Sequence, residues 1–396
     1  MAAKITVLGG SSPFTAGLIE AIRARGAATP AGALWLHGRD TGALEAMRLH
    51  GEARLGSLGW TTRCTTALPE ALDGADIVIH QIRYGGLEGR AEGERLASAH
   101  GLPADETLGP AALLAAIRAT PALFALADAA RRACPDAWIV NLTNPLSIAT
   151  AVLAQAGLRA VGLCELPGVT FRRACARLGV DPRAASFRYT GLNHRGFLVE
   201  FRAGGRDRIP DLARALGDGD LDGITAADIE ATGAIPLKYF RLLRPGAATH
   251  GGRADYLTGL RARLLDEIQR DPGAAAPSLS GRVMDWYPFA VVPFLEAVRA
   301  GDGRVEVVNV MAVDGIVREV QARVLGDRLD PLPEPPPGRA APWLQAFAAQ
   351  ERAALAAAIE PSRASLEAAL AADPLVPGAT VAPLAAALAS AANAPT

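Results

Sequence analysis

The chain lacks the local signatures of a closed metal site or a disulfide framework. Its four cysteines, Cys64, Cys134, Cys164 and Cys175, contain no CxxC pair, and its six histidines contain no HxxxH or HExxH, so no four-ligand zinc site can be written from spacing. Charge of one sign is lacking too. With 40 basic and 41 acidic residues the net charge is −1, which offers no electrostatic footprint for nucleic acid or an anionic membrane. No apolar run is expected to approach the roughly 18 residues that a membrane span requires. The start, Met1 to Lys4 followed by Ile5-Thr6-Val7-Leu8, is a strand pattern without a signal peptide's apolar region or cleavage site. Internal repeats are absent. These absences predict a cytoplasmic protein with reduced thiols that binds neither nucleic acid nor membrane.

What is present is a long apolar chain. Its 396 residues, 50% hydrophobic and 20% charged, suffice for a large core divided between two lobes. The stretch 138–167 organises the rest: two short β-type runs, 138–142 and 159–163, flank a helical pattern beginning near Asn144 and Pro145. That is a βαβ unit with ligand-capable groups at the carboxyl ends of its strands, where open parallel sheets bind ligands. Gly191-Leu192-Asn193-His194 follows further on. A Cys164 thiolate and a His194 imidazole are soft and borderline ligands for a divalent metal. Taken alone, the cysteine equally suits an inert core and the histidine a surface or capping role.

At the N-terminus, Lys4 to Leu8 runs into Gly9-Gly10-Ser11-Ser12-Pro13-Phe14-Thr15 and then an amphipathic helix. Strand, glycine turn and helix make a phosphate cradle, because glycines admit close backbone approach and the helix start offers free N–H groups. The loop is short of a full GxGxxG, so a plain tight turn fits the same spacing. The second strand, 33–36, ends in His37-Gly38-Arg39-Asp40. A carboxylate there suits the ribose of NAD and an arginine suits the 2′-phosphate of NADP, which leaves the choice of nucleotide open. After the buried run 75–81, the polar segment 81–95 reads as a lid or substrate loop. Thr107 or Glu106 is placed to cap a long apolar helix ending near Arg132.

By residue 110 the chain resembles glycoside hydrolase family 4, the NAD- and manganese-dependent glycosidases that include 6-phospho-β- and 6-phospho-α-glucosidases. The resemblance is carried by the Gly-Gly-Ser-Ser loop, Gln81-Ile82-Arg83 with Gly85-Gly86-Leu87 and Arg90, Glu106-Thr107 with Gly109-Pro110, residues 141–145, Gly162-Leu163-Cys164 and Gly191-Leu192-Asn193-His194. Ile235-Pro236 with Tyr239 and Arg241, Thr249-His250 with Arg253, and Pro374-Leu375 with Pro377 continue it in the same order along nearly the whole chain.

The resemblance implies a chemistry. In the family the nicotinamide takes a hydride from C3 of the sugar, a base removes the acidified C2 proton, the aglycone leaves, water adds and the hydride returns. It further implies that Cys164 and His194 bind Mn²⁺ or another divalent metal, that Asn144 contacts the sugar hydroxyls, and that Tyr239 is the C2 base, an assignment needing a nearby cation. Gly9, Gly10, Ser11, Ser12, Phe14, Thr15 and Arg39 would hold the cofactor, and Arg90, Glu106 and Arg282 the substrate. Departures from the pattern include Leu242-Leu243 after Tyr239, Val283-Met284 after Arg282, and Glu165 in place of the usual Asn or Asp. Glu165 is read as assisting the leaving group.

The expected architecture is α/β, with an N-terminal Rossmann-type parallel sheet (1–165) and a second α+β lobe (166–396), as in lactate and malate dehydrogenases. Its Pro-rich segment 331–342 is expected to hold no regular structure, and its Ala-rich tail to pack on the second lobe. The expected function is a glycosidase acting on a 6-phosphoglucoside, most readily the β-anomer, as a homodimer or homotetramer. A sugar or 2-hydroxy-acid dehydrogenase and a catalytically lapsed nucleotide-binding protein are the alternatives.

Overall fold

The computed structural model describes residues 3–244 and 251–392. Thr249-His250 of the family pattern lie outside the described residues. Six parallel strands come first: β1 (Ala3–Leu8), β2 (Gly32–His37), β3 (Thr61–Thr65), β4 (Ile77–His80), β5 (Trp138–Asn141) and β6 (Arg159–Gly162). They lie in the order β3-β2-β1-β4-β5-β6, so the order of successive strands switches sides of the sheet between β1 and β4. β4 and β5 are buried along their whole length, as strands with helices on both faces must be.

The register sets out the rest of the molecule. Leu8 pairs with His37 on one side and His80 on the other, His80 with Asn141, and Asn141 with Gly162. One row therefore crosses all the strand ends. It does not stop at β6. Gly162 pairs with Asn309 on strand Val305–Met311, Asn309 with Glu319 on strand Val317–Val324, Glu319 with Gly191 on β7 (Ala185–Leu192), and Gly191 with Gly196 on β8 (Arg195–Ala203). A parallel and an antiparallel half thus share one sheet and one row. The β7–β8 turn is Asn193-His194, which the row carries into the neighbourhood of Cys164, just past β6.

Helices α1 (Ala16–Arg25), α2 (Thr41–Leu55) and α3 (Leu68–Leu72) cover the first strands. Residues 81–95, expected to be a loop, are largely helix: α4 spans Gly86–Ala99. Gly85 caps it with φ 75°, and Gly93 lets it settle on the next helix, where an added Cβ would sit 3.2 Å from Ala111 Cβ. Gly93 thus serves packing between helices and Gly85 the start of α4. That next helix, α5 (Gly109–Ala133), corrects a second expectation. It is long and apolar enough to cross a membrane by length and composition, yet most of it is buried within the protein. It is followed by α6 (Leu146–Gln155) and α7 (Leu166–Arg177).

The tail forms three helices, Ala341–Ile359, Arg363–Ala371 and Val381–Ala392. Leu355, Leu366, Leu384 and Leu388 join one core with Leu114, Leu123 and Ile148 of α5 and α6. The tail therefore packs mainly on the N-terminal lobe, contrary to expectation, because α5 and α6 present apolar faces that need a cover. The Pro-rich segment also holds more structure than expected, with Leu329–Pro331 pairing as a short strand and Ala341 already helical.

Candidate active site

A cleft of 1030 Å³ opens along this row. At its first end lie Gly9, Ser11, Ser12 and Phe14, with Gly38 and Arg39 from the end of β2. Gly9 and Gly10 both donate backbone N–H bonds to the carbonyl of His37, at 3.0 and 2.7 Å. The close approach requires glycine: a Cβ on Gly9 would stand 3.0 Å from Gln81 O, and one on Gly10 2.8 Å from Leu36 Cβ. Such a cradle suits a dinucleotide. Gly10 and Thr15 lie beneath it rather than in it. Thr15 is fully buried and its hydroxyl accepts a bond from Gln81 Nε2 at 2.9 Å, while Gln81 Oε1 accepts from Tyr287 at 2.7 Å. Asp40 is spent as the cap of α2, accepting from Ala43 N at 3.0 Å.

At the other end Cys164, Glu165, His194, Lys238 and Tyr239 line the same cleft. His194 holds a left-handed φ of 64°, uncommon for a side chain of its size and characteristic of functional turns. Its Nδ1 lies 2.9 Å from Thr107 Oγ1, which orients the ring and leaves Nε2 as the ring nitrogen free for a ligand. Thr107 is thus engaged with His194 and with Asp105, at 2.5 Å from its hydroxyl, and does not cap α5, whose start carries no side-chain cap. Burial, reinforced by the Lys238 charge, holds the His194 imidazole down at about 3, neutral as a metal ligand must be. Cys164 is buried, and desolvation with the charges of Glu165 and Glu319 pushes its thiol well up. A thiol and a neutral imidazole on one wall fit a divalent metal that draws its other ligands from substrate and water. Among the described residues, no group of three or more His, Cys, Asp or Glu side chains could hold a metal alone.

Tyr239 stacks on His194 with ring centroids 4.4 Å apart and 15° between planes, and Lys238 Nζ sits 5.2 Å from the Tyr239 centroid. Desolvation, with the charges of Asp105 and Glu106, raises the phenol well above its ordinary value. Burial raises the Glu165 carboxyl as well, partly offset by Lys238. Asn144 lines the cleft and does not cap α6, whose N-cap is Pro145.

Between the two ends lies a charged floor. Glu106 pairs with Arg83 and, at 2.7 Å, with Arg90, whose Nε donates to Glu94 at 2.6 Å. Burial opposes ionisation of Glu106, but Arg83 and Arg90 outweigh it and hold the carboxyl down at about 2. Arg282 lies over the rings of Phe14 at 4.6 Å and Trp286 at 5.0 Å. Nine cationic and six acidic side chains line the cleft, an excess suited to anionic ligands.

Several neighbours escaped the sequence reading. Lys238 is one of only two lysines in the chain, a rarity that could have marked it. Glu319 is fully buried beneath the metal end, accepting from Tyr189 at 2.5 Å, Asn309 at 2.9 Å and Asn193 at 3.5 Å. A carboxylate at an inward position of a strand was its only signal. Arg195 donates to Asp373 at 2.8 Å and to Gln350 at 2.7 Å, tying the tail to the residue next to His194.

Residues 4–179 match the family described as "Family 4 glycosyl hydrolase", and residues 189–376 match the C-terminal domain of that family. The chain belongs to the family 4 glycosyl hydrolases. The probable 6-phospho-beta-glucosidase of Bacillus subtilis (strain 168) is 28% identical over 343 residues, covering 77% of this chain and 75% of that protein. The 6-phospho-beta glucosidase of Thermotoga maritima, solved with manganese, NAD+ and glucose-6-phosphate, superposes with a TM-score of 0.87 at 22% identity over 98% of each chain. A 6-phospho-alpha-glucosidase from gut microorganisms, in complex with NAD and Mn2+, gives a TM-score of 0.84 at 19% identity over 99% of this chain and 97% of that one. At such identities the structures speak for the fold. Both anomeric specificities occur among family 4 members of this shape.

Proposed function

We propose that this family 4 enzyme is an NAD- and divalent-metal-dependent glycosidase acting on a 6-phosphorylated glucoside. The observation that carries the reading is that a glycine cradle, a Cys164/His194 pair and Tyr239 share one cleft along a single row of strand ends. The names of the relatives and the ligands of the related structures supply the substrate class. When bound, the nucleotide supplies a reversible hydride acceptor and the metal a Lewis acid on the sugar oxygens. Gly9, Ser11, Ser12 and Phe14 hold the nucleotide from below, with Gly10 and Thr15 shaping the loop and Arg39 at its ribose end. Cys164 and His194 hold the metal. Tyr239, stacked on His194, takes the C2 proton, and Glu165 serves the leaving group. Asn144 binds sugar hydroxyls, Arg90 and Arg282 bind the phosphate, and Glu106 keeps Arg83 and Arg90 extended toward it. The four free cysteines agree with a reducing cytoplasm, and a homodimer or homotetramer completes the proposal.

The test is aglycone release from α- and β-p-nitrophenyl glucosides, each with and without a 6-phosphate, with NAD⁺ and Mn²⁺ supplied together or omitted singly. Release that requires both, without net NADH, is expected from a 6-phosphoglucoside. Accumulation of NADH would instead mark a dehydrogenase. Release without the nucleotide would sink the oxidative route.

A further inference from the structure

One wall of the cleft has no role in the scheme above. Tyr84, just beyond β4, lines the cleft between Arg83 and Gly85. Its hydroxyl lies 3.0 Å from Nε2 of His80, and Nδ1 of His80 lies 2.9 Å from Oδ1 of Asn141. His80 and Asn141 are fully buried neighbours in the row of strand ends.

Asn141 fixes the direction of this chain of bonds. Its Nδ2 faces Thr143 O at 3.2 Å, Leu146 O at 3.0 Å and Thr150 Oγ1 at 3.1 Å, and the Thr150 hydroxyl has already given its proton to Leu146 O at 2.7 Å. Its Oδ1 accepts from Thr143 N at 3.1 Å. The amide cannot be turned round without setting donor against donor. Oδ1 is thus an acceptor, and His80 Nδ1 must carry the proton. Burial away from any carboxylate keeps the ring neutral, its value lowered to about 4, so Nε2 offers a lone pair. The proton between His80 and Tyr84 then belongs to Tyr84.

We infer that Tyr84 is a ligand-binding residue presenting a fixed hydrogen-bond acceptor to the cleft, its own proton being committed to His80, and that it selects an O–H or N–H donor on the bound ligand. The inference rests on reading the cleft as a nucleotide-and-sugar site. Two sources of such a donor exist there, a sugar hydroxyl and the carboxamide of the nicotinamide. Thr143 Oγ1 donates to Ile82 O at 2.9 Å, which laces the loop bearing Tyr84 to the loop bearing Asn144 and keeps the acceptor in register with the sugar-binding side.

The experiment compares wild type with Tyr84→Phe, which keeps the ring and removes the oxygen. Calorimetry would measure NAD⁺, ADP-ribose and, with NAD⁺ and Mn²⁺ present, glucose 6-phosphate. If the nicotinamide is the donor, the variant binds NAD⁺ roughly three- to tenfold more weakly, the value of one neutral hydrogen bond, and ADP-ribose unchanged. If the sugar is the donor, both nucleotides bind as before and glucose 6-phosphate weakens by the same factor. Unchanged affinity in both arms overturns the inference. ¹⁵N spectra of wild type give a second reading independent of ligand: His80 should be the Nδ1–H tautomer, and an Nε2–H tautomer overturns the inference outright. A wild type that binds NAD⁺ but no glucose 6-phosphate would refute the phosphosugar reading and leave the inference to be judged on the nicotinamide arm and the tautomer.

Discussion

The two halves of the shared row hold their ends of the cleft by different means. In the parallel half the cleft is made of backbone: Gly9 and Gly10 bond to His37, and the polar side chains beneath, His80, Asn141 and Thr150, are neutral and mutually satisfied. In the antiparallel half it is made of side chains brought from distant segments, and the groups beneath are ionisable: the Glu319 carboxyl under the Asn193-His194 turn and the charged Arg195–Asp373 pair beside it. A backbone-built site tolerates most single substitutions, because few side chains carry it. A site resting on buried charges fails when one partner goes, since the other is left unpaired in a poor solvent. The metal end should therefore be the fragile one.

The largest effect is expected from Cys164→Ala and from His194→Ala. Either should lower Mn²⁺-dependent aglycone release by about a hundredfold or more, exceeding the loss typical of altering an outer-shell partner. NAD⁺ affinity measured by calorimetry should change little. Equal loss of both would show that the two ends are not separable.

Next comes Asp373→Asn. Both partners of the Arg195–Asp373 pair are almost wholly buried, 5% and 3% exposed, so removing the charge should cost about 3–5 kcal/mol of unfolding free energy in urea. The Arg48–Glu45 pair of the parallel half, 26% and 52% exposed, provides the contrast. Glu45→Gln should cost less than about 1 kcal/mol. Similar losses at the two positions would abolish the distinction drawn here.

The same contrast governs what could be read from sequence. The parallel half was legible because its strands, turns and glycines are contiguous: Lys4 to Leu8 with its glycine loop, and the run around residues 138–163, announce themselves locally. Segment 81–95 misled because glycines and charges there build one face of α4, packed on α5, and composition alone does not separate that from a loop. The tail misled for a related reason, since an Ala-rich helix shows little preference for one neighbour over another. In the antiparallel half, Cys164 and His194 gained meaning only from the order of many motifs. Asp373 had no local signature and Glu319 only that of a carboxylate at an inward strand position, both being placed by strand register and by helices folding back across the molecule.

A pH measurement tests the buried carboxyl at this end from another side. Desolvation lifts the Glu319 carboxyl from its ordinary 4.5 to about 7, despite bonds from Tyr189, Asn309 and Asn193. Its folded value thus exceeds its unfolded one. The stability contributed by holding that proton is complete below about pH 4.5 and is lost as pH rises through about 7, a change on the order of 3 kcal/mol. Wild type should lose this increment across the window and Glu319→Gln should not. Parallel pH profiles for the two proteins would show that Glu319 ionises as freely folded as unfolded.

A smaller effect than at the metal end is expected where the backbone does the binding. Gly10 has no side chain to lose, so the only way to damage it is to add one. In Gly10→Ala the new methyl would lie 2.8 Å from Leu36 Cβ and 2.9 Å from Leu36 Cα, inside van der Waals contact with a fully buried residue of β2. The strand cannot retreat, so the loop must, and its 2.7 Å bond to His37 O lengthens. Stability should fall by about 1–3 kcal/mol, the ordinary range for overpacking a buried position. NAD⁺ binding should weaken roughly tenfold, since the cradle loses its shape along with that bond, while the concentration of Mn²⁺ giving half-maximal activity at saturating NAD⁺ stays unchanged. A shifted Mn²⁺ requirement would mean that strain at the first end of the row reaches the last, and that backbone and buried charge work as one structure rather than two.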